Sequence, residues 1–189
     1  MKKFTLYILT AFGLMGLATS CNDFGDVNND PMNLNPGVVD YKMEFTQVEA
    51  QICGSDWDVW RNGCIYTANM IQHTASVDWA YGVFYTWNDQ YSGAYWGGFY
   101  SGGRAAIRNI IDVMNNWEGD PAYTNEYQMC RILKAYMFQN MTDLYGDVPY
   151  SEAGQGYSTN PIPYPKYDTQ EAIYDDLLKE LDEAQAALS

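Results

Sequence analysis

The feature of this sequence that most constrains its fold is an apolar stripe with helical spacing that ends at a glycine, Gly146. The stripe runs through residues 126–145 and consists of Tyr127, Cys130, Leu133, Met137, Met141 and Leu144. Steps of three and four residues place these side chains on one face of an α-helix, which must then be covered by another element. Gly146 suits the left-handed backbone that often follows a helix. The pattern predicts a long, well-packed helix in this region.

Similar stripes predict further helices on both sides. The first carries Tyr41, Phe45, Val48 and Ile52 and ends at Gly54. A capping box of Ser55 and Asp58 opens the second, one face of which carries Trp57, Trp60, Cys64, Ala68 and Ile71. The third passes through glycines 93, 97, 98, 102 and 103 into an apolar half with Ile107, Ile110, Ile111, Met114 and Trp117. Small residues there would let another element approach closely.

The last predicted helix is capped by Asp168, with Glu171 at the third helical position. Its apolar side consists of Ile173, Leu177, Leu178, Leu181, Ala184 and Leu188. No stop signal follows, so we expect a longer protein, and we expect Leu177, Leu181 and Leu188 to be partly exposed in this chain. The stripes together predict an all-α fold of antiparallel helix pairs with long loops, which is compatible with an α-solenoid.

The N-terminus has the pattern of a lipoprotein signal. Lys2 and Lys3 precede an apolar stretch over residues 4–17, and small residues then lead to Cys21. We predict a signal peptide over residues 1–20, with Cys21 becoming the lipidated N-terminus. Residues 21–36 are predicted to form a flexible tether, in which Asn35 can cap a helix beginning at Pro36. The helical domain is then expected over residues 37–189.

Charge and composition exclude several classes of function. The chain has 24 acidic against 10 basic residues, a formal net charge of −14, which makes it a poor nucleic-acid binder. His73 is the single histidine, so multi-histidine metal sites are excluded, and no catalytic motif is recognisable. We therefore predict no metal, no cofactor and no catalytic residue.

The remaining cysteines suggest structural thiols. Cys53, Cys64 and Cys130 can form at most one disulfide, which would leave one thiol over. Cys64 and Cys130 fall on apolar faces of predicted helices. Buried thiols are therefore the favoured interpretation for these two.

The strongest functional signal lies between two helices, in the non-periodic stretch of residues 78–91. Aromatic rings pack against the C–H faces of sugars, and amides and carboxylates bind sugar hydroxyls. Both kinds of side chain are concentrated here, and the candidate ligand-binding residues are Asp78, Trp79, Tyr81, Tyr85, Trp87, Asn88 and Asp89. The alternative is that these aromatic residues form core beneath a long loop.

Three stretches carry a resemblance to a known family. They are residues 143–153 (DLYGDVPYSEA), residues 164–174 (YPKYDTQEAIY) and residues 24–31 (FGDVNNDP) behind Cys21. Together they resemble the N-terminal part of SusD/RagB outer-membrane lipoproteins. The matching motifs look structural: Gly146 ends a helix, Pro149 sets the chain's exit, and Pro165 precedes the predicted cap.

The resemblance implies a tetratricopeptide-like helical fold and a lipid-anchored location on the outer membrane, exposed at the cell surface. It implies a protein without catalysis that captures a nutrient, often a glycan, above a SusC-like TonB-dependent β-barrel transporter. It transfers no ligand residue. The alternatives are a surface-anchored polysaccharide hydrolase and a helical adaptor or adhesin lipoprotein.

Overall fold

The computed structural model describes residues 40–101, 104–157 and 161–188. The chain divides into two units, Met1–Asp40 and Tyr41–Ser189, and only Asp40 of the first is described. The predicted signal peptide, the lipidation site Cys21, the tether and the Asn35 cap lie outside the described residues and stay predictions. The architecture below is that of the second unit.

The second unit is built mainly from helices. The first is α1 (Tyr41–Gln51), followed by a composite helix of α2 (Asp56–Asp58), a π-helix (Val59–Thr67) and α3 (Ala68–Met70). The later helices are α4 (Asp89–Ser92), α5 (Ala94–Tyr100), α6 (Ala106–Trp117), α7 (Thr124–Tyr145) and α8 (Gln170–Ala187). Short 3₁₀ turns occupy Pro121–Tyr123 and Gln155–Tyr157. Strands β1 (Val148–Pro149) and β2 (Tyr167–Asp168) pair antiparallel, with Val148 opposite Asp168. The predicted all-α class is confirmed.

The core lies where α1, α6, α7 and α8 meet. Its largest fully buried side chains include Phe99, Ile107, Ile110, Met137, Phe138, Met141 and Ile173. Most of them come from the stripes identified in the sequence. Leu144 departs from its stripe and is exposed, because it lies in the last turn of α7.

Helices α7 and α8 form an antiparallel pair. Arg131 donates to Glu180 at 2.6 Å and to Glu183 at 2.5 Å near one end of the pair. Near the other end the Gln170 side-chain amide donates to the Thr142 carbonyl at 2.7 Å. The start of α7 therefore lies beside the end of α8, and the end of α7 beside the start of α8. This is the antiparallel arrangement that the sequence predicted for neighbouring helices.

The predicted glycine-rich third helix is wrong as one continuous element. Gly93 separates α4 from α5, and α5 ends at Tyr100. Ala105, just before α6, has a left-handed backbone with φ 38°. Glycine has the highest backbone freedom to lose, so several glycines weaken a helix enough for the chain to turn.

The second predicted helix forms, but its buried face differs from the prediction. The Ser55–Asp58 capping box is present. Yet Trp57, Cys64 and Ile71 are exposed, while the buried side chains include Asn62, Ile65, Tyr66 and Asn69. The π-helix changes which residues share a face, because its hydrogen bonds span five residues instead of four.

The prediction of two buried thiols is therefore wrong for Cys64 and confirmed for Cys130. Cys130 is fully buried, and burial raises the pKa of its thiol to about 12. That thiol is held in its protonated, unreactive form at neutral pH. The described cysteines Cys53, Cys64 and Cys130 are all unpaired.

The predicted cap of α8 is off by one residue. Thr169 is the N-cap, and its hydroxyl accepts from the backbone N–H of Ala172. Asp168 lies in β2 instead, where its carboxylate accepts from the backbone N–H and the hydroxyl of Ser151 at 2.7 and 2.8 Å. Burial alone would raise the pKa of Asp168, but these hydrogen bonds and Lys166 hold it below its usual value.

The apolar side of α8 is only partly covered. Leu177 is buried, so its predicted exposure is wrong, whereas Leu181 and Leu188 are exposed as predicted. Leu178 is exposed as well. A groove of about 400 Å³ between α7 and α8 is lined by Ile132, Ala135, Tyr136, Gln139, Tyr174, Leu177, Leu178 and Leu181.

Candidate functional site

The most distinctive surface of the described chain is a connected group of aromatic rings on the composite helix and the loop after it. We call it the aromatic surface, and its members are Trp57, Trp60, Arg61, Trp79, Tyr81 and Tyr91. The Trp60 ring is central, with centroids 5.3 Å from Trp57, 5.3 Å from Trp79 and 5.9 Å from Tyr91. Tyr91 continues to Tyr81 at 5.4 Å.

The two outer indoles of the aromatic surface face solvent. Trp57 is 58% exposed and Trp79 is 52% exposed, whereas Trp117 on α6 is only 3% exposed. A tryptophan that packs for stability alone is normally covered, since its large apolar area is costly to leave in water. Exposed indoles held by a half-buried ring are instead available to a ligand.

The π-helix positions the helical side of the surface. Trp57 and Trp60 are three residues apart, and Arg61 is four residues from Trp57, so these side chains are neighbours. The Thr67 hydroxyl donates to the Asn62 carbonyl at 2.8 Å, which satisfies one carbonyl of the widened helix. The π conformation is rare and recurs at functional sites.

The loop over residues 73–88 is fixed against this helix. Gly82 donates its N–H to the Ile65 carbonyl at 3.2 Å, and a Cβ at this position would lie 2.5 Å from the same oxygen. The Tyr66 hydroxyl donates to the carbonyls of Thr86 and Asn88 at 3.3 and 3.4 Å. The loop backbone can therefore pass close to the helix only because residue 82 has no side chain.

Two of the predicted ligand residues have a left-handed backbone. Trp79 has φ 50° and Tyr85 has φ 53°, and neither is a glycine. This conformation costs an ordinary residue roughly 1–2 kcal/mol. Such strain persists only where surrounding contacts hold it, and it is concentrated at binding and active sites.

An ion pair supports the base of the surface. The Asp58 carboxylate is buried, accepts from the Ser55 N–H at 2.9 Å and pairs with Arg104. Burial would raise the pKa of Asp58, but the Arg104 guanidinium and Ser55 outweigh burial and hold it below its usual value. The pair joins the start of the π-helix to the chain ahead of α6.

Of the seven predicted ligand residues, only Trp79 and Tyr81 belong to the aromatic surface. Tyr85 turns away, and its hydroxyl donates to the Met70 carbonyl at 3.1 Å beside a polar pocket of about 370 Å³. That pocket is lined by Asn69, Gln72, His73, Thr74, Ala75, Val83 and Tyr85. Asp78 is exposed next to Trp79.

The other three predicted residues, at positions 87–89, have hydrogen bonds of their own. Trp87 is 71% exposed, and its indole N–H donates to the Asp89 carboxylate. The Asn88 side chain accepts from the Gln90 N–H at 3.1 Å as the N-cap of α4. Asn88 and Asp89 therefore have structural partners, while the Trp87 ring remains accessible.

Sequence reasoning missed four members of the surface as ligand residues: Trp57, Trp60, Arg61 and Tyr91. Trp57 and Trp60 were assigned to an apolar helix face. No signal in the sequence separates them from a core stripe, because an amphipathic helix that packs on a core also carries charged residues between its apolar ones.

The described part of the chain shows neither a group of metal ligands nor a membrane-spanning helix. Within residues 40–101, 104–157 and 161–188, no group of three His, Cys, Asp or Glu side chains could hold a metal ion. None of the helices described is long and apolar enough to cross a membrane.

Comparison with known proteins finds a matching family. Residues 38–189 match the SusD-like family described as "Starch-binding associating with outer membrane". A comparison with curated proteins finds no significant match.

Two solved structures are similar. One, named chitin-binding protein, has a TM-score of 0.65 and 33% identity over 78% of this chain and 30% of its own. The other, named Bacteroidetes AC2a SusD-like, has a TM-score of 0.64 and 30% identity over 80% of this chain and 27% of its own. The chain thus spans about a third or less of their length. Because the family match covers most of the sequence, this chain belongs to the SusD-like family of outer-membrane-associated proteins.

Proposed function

We propose that this chain is the glycan-capturing part of a cell-surface lipoprotein, and that the aromatic surface contacts the sugar. The observation that carries this proposal is the pair of exposed indoles, Trp57 and Trp79, both packed against Trp60. Sugar rings present flat C–H faces that stack on such indoles. The starch-binding description of the family and the name of one similar structure, chitin-binding protein, support the same class of ligand.

The capture protein would be held by lipid at Cys21 and would lie above a SusC-like TonB-dependent barrel. The family's association with the outer membrane supports this location. The acidic chain would be repelled by an anionic membrane surface, so lipid must supply the anchoring. Delivery to the transporter requires binding without turnover, and we therefore assign no catalytic role to the chain.

An open surface of a few rings gives weak affinity for a short sugar, because the polar groups around such a surface remain hydrated when the sugar binds. Longer ligands can contact Trp57, Trp79 and the exposed Trp87 at once, which raises the effective concentration at each ring. We therefore expect affinity to fall steeply as an oligosaccharide is shortened.

The test measures binding and turnover on the same polysaccharide panel, which includes starch, soluble chitin oligosaccharides and pectins. Saturable binding without release of reducing ends is the expected result for a capture protein. Release of reducing ends would indicate the hydrolase. Binding to other proteins alone, with no glycan retained, would indicate the adaptor or adhesin.

A further inference from the structure

Arg61 occupies an unusual place in the aromatic surface. Its guanidinium carbon lies 5.3 Å from the centroid of the Trp57 ring and 5.9 Å from that of Tyr91. Contacts of this kind attract the cation to the ring faces and fix its orientation. Arg61 is thus held in a defined position between an exposed indole and a half-buried phenol.

One hydrogen-bond donor of Arg61 lacks a partner among the described residues. Its Nε atom is buried and has no hydrogen-bond partner in the described part of the chain, where none of the ion pairs includes this side chain either. By contrast, Arg104 pairs with Asp58, and Arg131 pairs with two glutamates. The chain has a net charge of −14, so carboxylates are plentiful. A shortage of acidic residues therefore does not explain why Arg61 has no carboxylate partner among the described residues.

The two acids closest in sequence are already engaged. Asp58 accepts from Arg104 and from Ser55. The Asp56 carboxylate accepts from the Trp57 backbone N–H at 3.0 Å. A buried donor without a partner costs about 1–3 kcal/mol. The Arg61 side chain as a whole is only half-buried, so an anion from outside the described chain can approach the rest of its guanidinium.

We infer that Arg61 recognises an anionic substituent on the glycan, a uronate carboxylate or a sulfate, while the neighbouring indoles stack on the sugar rings. This inference rests on the proposed function of the aromatic surface. The planar guanidinium presents its N–H groups as a fork that matches the two oxygens of a carboxylate or sulfate. The Trp57 and Tyr91 rings already hold the guanidinium in place, so the Arg61 side chain loses little conformational freedom when the anion binds.

The overall charge of the chain opposes any anion at long range. Such repulsion is screened over about 8 Å at physiological salt, whereas a direct, partly buried bidentate contact is screened much less. The preference for an anion must therefore come from Arg61 at short range. Lower ionic strength should not strengthen binding, unlike the behaviour of a generic basic patch.

The experiment compares matched polysaccharides that differ only in charge, using the full chain. Polygalacturonate is paired with its methyl-esterified form, and dextran sulfate is paired with dextran. We expect at least one anionic member to bind at least tenfold more tightly than its neutral partner. The pair that shows the difference identifies carboxylate or sulfate as the substituent.

Two variants of Arg61 isolate its role. Arg61→Met keeps an unbranched apolar stem and should remove the preference for the anionic polymer, so that the charged and the neutral member of a pair bind with similar affinity. Arg61→Lys keeps the charge without the fork and should retain only part of the preference. Lys179→Gln, which removes an exposed charge from α8, is the control and should change nothing. Melting temperatures establish that each variant is folded.

Several results would overturn the inference. One is equal binding of charged and neutral members, with Arg61→Met weakening both alike, which would make Arg61 a donor to sugar hydroxyls. Another is failure of both anionic polymers to bind. These outcomes leave the proposed function intact if a neutral glycan binds and Trp79→Ala weakens the binding of that glycan. Absence of any glycan binding would instead defeat the proposed function.

Discussion

The rings of Trp60 and Trp79 meet edge to face with their centroids 5.3 Å apart, although one belongs to the π-helix and the other to the following loop. This contact makes a single surface from two parts of the chain that have no common secondary structure. The surface should therefore depend on whatever holds the loop against the helix.

Gly82 provides the first test of that dependence. In Gly82→Ala the new Cβ would lie 2.5 and 2.7 Å from the carbonyl oxygens of Ile65 and Tyr66. These are backbone atoms of the helix, so relief requires the loop to move, at a cost of about 1–3 kcal/mol. We expect a lower free energy of unfolding in urea together with weaker glycan binding.

Gly97→Ala is the matched control, because nothing lies within 4 Å of the added methyl group. Its position inside α5 favours alanine by about 1 kcal/mol. The control should be unchanged or more stable. If Gly82→Ala behaved like Gly97→Ala, the loop would not be held as the structure indicates.

The Asp58–Arg104 pair predicts a dependence of stability on pH. The pKa of Asp58 is lowered in the folded chain, so its contribution is complete above the unfolded value of about 3.9 and is lost as pH falls through the folded value. We expect Asp58→Asn to lower the free energy of unfolding by about 2 kcal/mol at pH 7, less than for a fully buried pair because Arg104 is partly exposed.

Urea denaturation at pH 7 and pH 3 measures the difference in free energy of unfolding between wild type and Asp58→Asn. This difference should be smaller at pH 3. Asp56→Asn changes an exposed acid in the same turn and should shift stability by no more than about 0.5 kcal/mol. A constant difference between wild type and Asp58→Asn at both pH values would contradict the account.

The sequence predicted those elements whose signals are local and periodic. The stripe of α7 and its end at Gly146 are one example, and the Ser55–Asp58 capping box is another. The cap of α8 was misplaced because Asp168 and Thr169 are both good cap residues and only the pairing of β2 separates them. The π-helix leaves no periodic mark, so the faces of Trp57 and Cys64 were misassigned.

The same reasoning explains the partial prediction of the site. Trp79 and Tyr81 belong to a stretch without helical periodicity, which was visible in the sequence. Their partners Trp60 and Tyr91 lie on helices, where an aromatic residue has the same pattern whether it faces core or ligand. Only the three-dimensional contact with Trp79 distinguishes the two cases.

The left-handed backbone of Gln72, just before the loop, predicts one stabilising change. Gln72 is exposed and has φ 61°, a region in which glycine carries no steric penalty. Gln72→Gly should raise the free energy of unfolding by up to about 1 kcal/mol, since relief of strain exceeds the extra entropy of the unfolded chain.

The neighbouring exposed residue gives the opposite expectation. His73 is not in the positive-φ region, so His73→Gly should lower stability by roughly 0.5–1 kcal/mol. Thermal melting of the two variants beside wild type measures both signs. Destabilisation by both would show that the backbone at residue 72 is not strained.

The groove between α7 and α8 predicts binding of a hydrophobic dye. Leu178 is 61% exposed there, and the adjacent Leu177 is 4% exposed. Leu178→Gln should reduce the dye fluorescence and leave stability within about 0.5 kcal/mol, whereas Leu177→Gln should strongly destabilise the fold. Wild type that does not bind dye would mean that the groove is covered in solution.

The most direct test of the aromatic surface is the affinity of Trp79→Ala for a bound polysaccharide, measured beside its melting temperature. Removing this indole should cost about 1–3 kcal/mol of binding, as expected for one well-placed aromatic contact, with little change in melting temperature. Trp57→Ala should behave in the same way, and Trp87→Ala should weaken long ligands. Trp117→Ala, which removes a buried ring, should lower the melting temperature instead. Unfolding of Trp79→Ala and Trp57→Ala, or full retention of binding by both, would contradict the account and would assign these rings to packing alone.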